Sequence, residues 1–197
     1  MAAKSDNGKR QIIKKAAREL FFHFGFTKTS MDDIAKQSDL AKPTLYYYYS
    51  NKEALFQEIV LEEAEHFVDQ VVESIPEDLK ADKQLAMFFQ TMHAGLKQHV
   101  KEMETLPDYL CEHSPHGEPI EEHLNELMKQ KILPILQRGQ ESSVFHIKDL
   151  DVCAEALVYM TEFLSLDWIK NIPRKKQDKI VSESIEIMIT GITRRGL

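Results

Sequence analysis

The chain has 197 residues, of which 43% are hydrophobic and 29% charged, with a formal net charge of −7. That apolar fraction is too high for a disordered chain, and no run approaches the 18 or so uninterrupted apolar residues that would span a bilayer. Two cysteines, Cys111 and Cys153, are too few for a disulfide framework or a four-cysteine zinc site, so a reducing cytoplasm is the expected setting.

In chain order, the segment from Met1 to Lys15 is polar and basic with no apolar core, which is not the pattern of a secretory signal. Ile12, Ile13, Ala16, Ala17, Leu20, Phe21 and Phe24 then recur at helical spacing, and Gly25 follows as a helix stop. Two short helical segments are expected at about residues 30–38 and 43–49, and a long helix over residues 52–75 carries Leu55, Ile59, Phe67, Val71 and Val72 before Pro76 ends it. Further helices are expected at about residues 83–103, 118–137, 150–170 and 174–194, with a short turn of helix near residues 106–111. No stretch alternates as a half-buried strand would, so the fold class is all-α.

Charge is unevenly placed. Residues 1–56 carry ten Lys/Arg against six Asp/Glu, whereas residues 57–197 carry fifteen against twenty-six. Phosphate binding needs positive charge, so this split points to a basic contact module on an acidic body.

The informative stretch runs from Thr29 to Leu55. Ser30 with Asp33 has the form of a capping box, and Ser50 with Glu53 repeats it at the long helix. Ile34 and Ala35 are expected to face inward on the first short helix, and Leu45 and Tyr49, four apart, on the second. Pro43 suits the first turn of a helix, and it disfavours helical geometry at Lys42, making Lys42 the expected cap residue. Two short helices joined by a tight turn form a helix-turn-helix, whose second helix enters the major groove of DNA.

At these residues the chain resembles the tetracycline-repressor (TetR) family of bacterial transcriptional regulators. The resemblance rests on Phe24–Phe26, Thr29–Ser30, Asp33–Ala35, Lys42–Tyr46 and Lys52–Leu55, and it covers about residues 10–56. Two positions depart from the family pattern: Asp39 stands where the turn usually has glycine, and Ala41 where a serine usually precedes the second helix. The resemblance implies an N-terminal three-helix DNA-binding domain (residues 1–50) joined to a larger helical ligand-binding and dimerisation domain (residues 51–197). It implies phosphate contacts from Thr29, Ser30 and Lys52, and base or phosphate contacts from Lys42 and Thr44. Tyr46, Tyr47 and Tyr48 match the exposed positions of the recognition helix. Four consecutive helical residues cannot all face a core, so Tyr49 is assigned to the interior, Tyr46 and Tyr47 to DNA, and Tyr48 to either. Tyr47 is the expected base contact, through a thymine methyl or a base edge. Lys4, Lys9 and Arg10, ahead of the expected first helix, are either further phosphate contacts or a solvated tail.

The family's larger domain encloses a small-molecule site, and its ligand moves the helix that carries the DNA module. The expected function is therefore a repressor that binds a palindromic operator as a dimer and is released by an inducer. Met and aromatic residues suit an adaptable apolar site, which makes Phe67, Phe88, Phe89, Met92, Leu96, Met103, Tyr109, Leu110, Met128, Met160, Phe163 and Trp168 candidates for its lining, and ordinary core packing is the alternative for each. Inward-facing Glu155 or Glu162 would favour a cationic ligand instead. The last two helices are apolar nearly all round, so a second copy of the chain is their expected cover in a four-helix interface. Cys111, His113 and His116 supply ligand types for zinc or copper, which makes a metal-responsive regulator the alternative, although their spacing matches no strong motif. No cofactor is expected. The sequence has no GxGxxG, P-loop, GxSxG or HExxH, so an enzyme is not the reading. A helical interaction protein without specific DNA binding would explain the apolar closing helices but not the tyrosine run.

Overall fold

A computed structural model describes residues 2–102, 118–162 and 173–193. Eight helices lie within the described residues: α1 (Ala2–Phe24), α2 (Met31–Gln37), α3 (Lys42–Tyr48), α4 (Lys52–Glu73), α5 (Ala81–Glu102), α6 (Glu118–Glu141), α7 (Leu150–Glu162) and α8 (Arg174–Ile192). The described residues contain no strand, only an isolated antiparallel bridge between Phe145 and Thr193. None of these helices is long and apolar enough to cross a membrane.

Within the described residues the expected order of helices is observed, with two instructive shifts, while the turn of helix expected near residues 106–111 lies outside them. Helix α1 begins at Ala2, ten residues ahead of its first apolar position. Once the packed part of a helix is nucleated, each further residue adds a hydrogen bond at low cost, so a polar end can stay helical without burying anything. Lys4, Lys9 and Arg10 thus lie on the helix and not ahead of it. Helix α3 begins at Lys42, and its cap is Ala41, whose φ of −62° and ψ of 137° are extended. The cap is one residue earlier than expected, and it makes no side-chain hydrogen bond because alanine has none to offer.

The chain divides into two compact units, one around Met1–Ala64 and the other around Glu65–His99 and Glu122–Leu197. In the first, Ile13, Ala17 and Phe21 of α1 pack with Ile34 and Ala35 of α2, Leu45 of α3, and Leu55, Phe56 and Ile59 of α4. These three α4 residues are why the first unit extends past residue 50 into the long helix. Phe21, Phe26 and Phe56 form an aromatic group, with Phe21 edge-on to Phe56 at 5.2 Å.

The second unit is built on Val68 and Val71 of α4, Leu85, Phe88 and Phe89 of α5, Ile132 and Leu136 of α6, Leu157 and Val158 of α7, and Val181, Ile185 and Ile189 of α8. Gly139 on α6 allows a close crossing, since a Cβ there would overlap the Phe145 ring and approach Ala81 Cβ to 2.9 Å. Buried Gln84 donates to the carbonyls of Pro76 and Glu77 and accepts from Arg138, tying the α4–α5 loop to α6.

Candidate nucleic-acid interface

The turn preceding α2 is set by local chemistry. Gly25, at φ 88°, ends α1 in a left-handed conformation that glycine adopts freely. Thr29 is buried, and its hydroxyl donates to the Gly25 carbonyl at 2.9 Å. Ser30 caps α2 in a full capping box: its hydroxyl accepts from Asp33 N–H, while its own backbone N–H donates to Asp33 Oδ2 at 3.0 Å. Hydrogen bonds from the Ser30 side chain and backbone hold the Asp33 carboxyl below the usual range.

Between α2 and α3 the turn passes through Asp39 at φ 53°, the left-handed conformation expected at the position usually held by glycine. The N–H groups of Asp39 and Leu40 reach back to the carbonyls of Lys36 and Ala35. An open groove of ≈ 420 Å³ crosses this turn, lined by Asp32, Ala35, Lys36, Asp39, Leu40, Ala41 and Lys42. On its rim Lys42 pairs with Asp32 at 2.7 Å, and that bond raises the Lys42 ammonium above its ordinary pKa.

Helix α3 is two-sided. Leu45 and Tyr49 are buried, whereas Tyr46 and Tyr47 are 44% and 79% exposed. Burial pushes the Tyr49 phenol far above its ordinary pKa, and the Arg10 guanidinium lies 5.3 Å from its ring centroid. Tyr48 is half-buried, and its hydroxyl donates to the Asp6 carboxylate of α1 at 2.6 Å. Tyr47 stands edge-on to Tyr48, with ring centroids 5.1 Å apart.

Several expected contact residues have other partners. The Thr29 hydroxyl is turned inward, so it is not presented to phosphate. The Lys52 ammonium donates to the carbonyls of Phe26 and Thr29, at 2.8 and 2.9 Å, and lies 4.1 Å from the Phe26 ring centroid. Two of its three N–H groups thus hold the α1–α2 turn against the start of α4. Ser30, Thr44, Tyr46 and Tyr47 remain accessible on the α2–α3 surface.

The charge of this unit also needs revision. Arg10, Lys14 and Arg18, at four-residue spacing on α1, pair with Glu58, Glu62 and Glu63 on α4. Lys14 is buried between Glu58 and Glu62. Burial alone would lower its pKa, but bonds to the two carboxylates outweigh that and raise it. Residues 1–64 hold ten Lys/Arg and nine Asp/Glu, so this stretch is nearly neutral. Positive charge is local here, and three of the ten cations are paired with carboxylates of α4.

The bacterial regulatory proteins of the tetR family supply a model that matches residues 13–59, which include the core of this unit. Residues 13–59 thus carry the segment that marks the TetR family. It is similar to YhgD, a helix-turn-helix transcriptional regulator of Bacillus subtilis, at 26% identity over 94% of this chain and 97% of that one. A segment of 79 residues is 40% identical to the regulator UidR of Escherichia coli, covering 34% of this chain and 40% of the relative. Among solved structures, a transcriptional regulator from Cytophaga hutchinsonii has the same fold, with a TM-score of 0.71 at 21% identity over 95% of this chain and all of the other. So does FadR of Thermus thermophilus, a TetR-family repressor solved with lauroyl-CoA, with a TM-score of 0.67 at 21% identity over 95% and 97%. The matched segment is a helix-turn-helix, and along nearly its whole length the chain is similar to helix-turn-helix transcriptional regulators.

The second unit brings five expected ligand-lining residues into one cluster. Phe88 and Phe89 are fully packed in its core, and Phe67, Met92 and Met128 lie half-buried against them. Met160 is 45% exposed and is not part of that cluster. Glu155 is exposed. The side chains of Leu96, Met103, Tyr109, Leu110, Glu162, Phe163 and Trp168 lie outside the described residues, as do Cys111, His113 and His116. Among the described residues no three His, Cys, Asp or Glu side chains converge as a metal site would require.

Two residues in this surface were not visible as site residues in the sequence. Asp32 bonds a lysine ten positions away, and Asp6 a tyrosine 42 positions away. Neither pairing follows from local periodicity.

Proposed function

We propose that this regulator is a ligand-responsive repressor of the cytoplasm that binds a palindromic operator as a homodimer and is released by an apolar small molecule. The observation that carries the DNA reading is the two-sided α3, with Leu45 and Tyr49 buried and Tyr47 79% exposed. An aromatic side chain that exposed adds nothing to the core of its own unit, and its ring and hydroxyl suit a thymine methyl and a base edge. Tyr46 flanks it, Ser30, Lys42 and Thr44 supply phosphate or base contacts at the helix starts, and Tyr48 supports the surface from behind. Thr29 contributes by holding the turn, and Lys52 by doing the same with one N–H left for phosphate.

The dimer reading rests on exposed apolar side chains of the closing helices: Val152, Tyr159 and Met160 on α7, and Ile187 on α8. Such side chains call for cover, and a two-fold pairing would present two α3 helices to successive major grooves about 34–36 Å apart. The inducer reading rests on the cluster of Phe67, Met92 and Met128 and on the acyl-CoA bound by the FadR neighbour. An inducer acts by binding the DNA-incompetent state more tightly, which shifts the population away from operator binding.

The test is selection of duplexes from a randomised pool by the wild-type chain, with the mass of the chain in solution measured alongside. The expected result is a two-fold symmetric site and a dimer. Recovery of unrelated sequences, or a monomer that binds DNA as well as a dimer, contradicts the reading.

A further inference from the structure

We propose that Asp6, on the polar N-terminal extension of α1, is a positioning residue that acts through Tyr48 to orient Tyr47 and so sets how well operator is told from other DNA. The inference rests on the reading of α3 as the DNA-recognition helix and deepens it.

Two contacts form a relay. The Asp6 carboxylate accepts from the Tyr48 hydroxyl at 2.6 Å. That bond commits the Tyr48 hydroxyl to the protein and fixes the ring plane. The Tyr47 ring meets Tyr48 edge-on, at 5.1 Å and an interplanar angle of 89°, a favoured aromatic geometry. Tyr47 is otherwise so exposed that this neighbour is its main lateral restraint. Four residues along the same face of α1, Arg10 lies over the Tyr49 ring and pairs with Glu58. The extension is thus tied to the end of α3 at two successive turns.

The sign of the charge makes the idea testable. A carboxylate beside a DNA-binding surface opposes phosphate, so by electrostatics alone its removal strengthens binding to every duplex. A positioning role works in the opposite direction and only on the operator, because a freely rotating Tyr47 must lose that freedom on binding. The two roles separate in one experiment.

The experiment uses the full-length chain, a duplex selected by the wild-type chain from a randomised pool, and a scrambled duplex of equal length, across a salt series. With Asp6→Ala, which removes the acceptor as well as the charge, operator affinity is expected to fall about 3- to 10-fold while affinity for the scrambled duplex holds or rises. Tyr48→Phe reproduces the loss, the double variant is no worse than either single one, and Asp6→Glu restores part of it. Asp6 is exposed, and an unchanged thermal midpoint confirms that the variants are folded. Equal changes on both duplexes, or none on either, overturn the proposal. A wild-type chain that cannot distinguish the duplexes overturns the DNA reading itself, and this proposal with it.

Discussion

The two units of this chain solve the same packing problem with different forces. The first has a small apolar core and closes one side with a seam of charge, in which Arg10, Lys14 and Arg18 meet Glu58, Glu62 and Glu63. The second joins side chains from five helices in a larger apolar core, with buried Gln84 at its edge, and its crossing at Gly139 is tight enough to exclude a methyl group. Small modules bury too little apolar surface to be generous with it, and a charged seam between helices adds register where more leucine is lacking. The lesson concerns function as well. The first unit commits Arg10, Lys14 and Arg18 to its own fold and exposes Tyr46 and Tyr47, whereas the second exposes Val152, Tyr159, Met160 and Ile187.

The difference is most sharply tested in the second core. Phe88 is fully buried there, so Phe88→Ala is expected to lower unfolding free energy by about 3–5 kcal/mol, measured by denaturant titration. A variant of full stability with altered effector response would instead make Phe88 a ligand residue and weaken the contrast.

The seam gives the next largest effect. Lys14→Ala is expected to cost about 1–2 kcal/mol at low salt and less at high salt, because Glu58 and Glu62 stay one-third exposed and partly solvated. The pH dependence has a definite sign. The folded-state pKa of Lys14 is raised, so its contribution is fully present below the ordinary value of 10.5 and is lost as pH rises through the raised one. A wild-type chain should thus lose stability on the alkaline side of pH 10.5, and the Lys14→Ala chain should lose less.

How far these features could be read from sequence depends on their range. The helix-turn-helix was legible because its signals are local. Gly25 closes α1, Ser30 and Asp33 cap α2, Pro43 sits in the first turn of α3, and Asp39 takes a left-handed turn. The inward side of α3 followed from the spacing of Leu45 and Tyr49. The seam was not legible, since Arg10 and Glu58 lie 48 residues apart and periodicity predicts faces, not partners. The apparent basic excess of residues 1–56 misled for the same reason, because the carboxylates that neutralise it sit just beyond, on α4. Thr29 and Lys52 looked like surface residues at helix starts, yet backbone carbonyls draw both side chains inward.

A smaller effect is expected at Asp32, which holds Lys42 at the edge of the turn groove. Asp32→Asn should release Lys42 toward phosphate and strengthen binding to any duplex about 2- to 5-fold. The dependence of log affinity on log salt should become steeper by about one counterion, as read in a fluorescence titration. Unchanged affinity would mean that Lys42 does not reach DNA.

The smallest effect belongs to the turn itself. Asp39→Gly removes the penalty of a left-handed non-glycine residue, offset by the greater freedom of glycine in the unfolded chain, for a net gain of about 0.5 kcal/mol in thermal unfolding. A loss of stability would show that the Asp39 side chain supports the turn.

Whether the exposed tyrosine face of α3 reads DNA is decided by the operator affinity of Tyr47→Ala beside its affinity for scrambled duplex. A loss of about 1–3 kcal/mol on the operator is expected, with little change on the scrambled duplex and no change in stability. Undiminished operator affinity in that variant would contradict it.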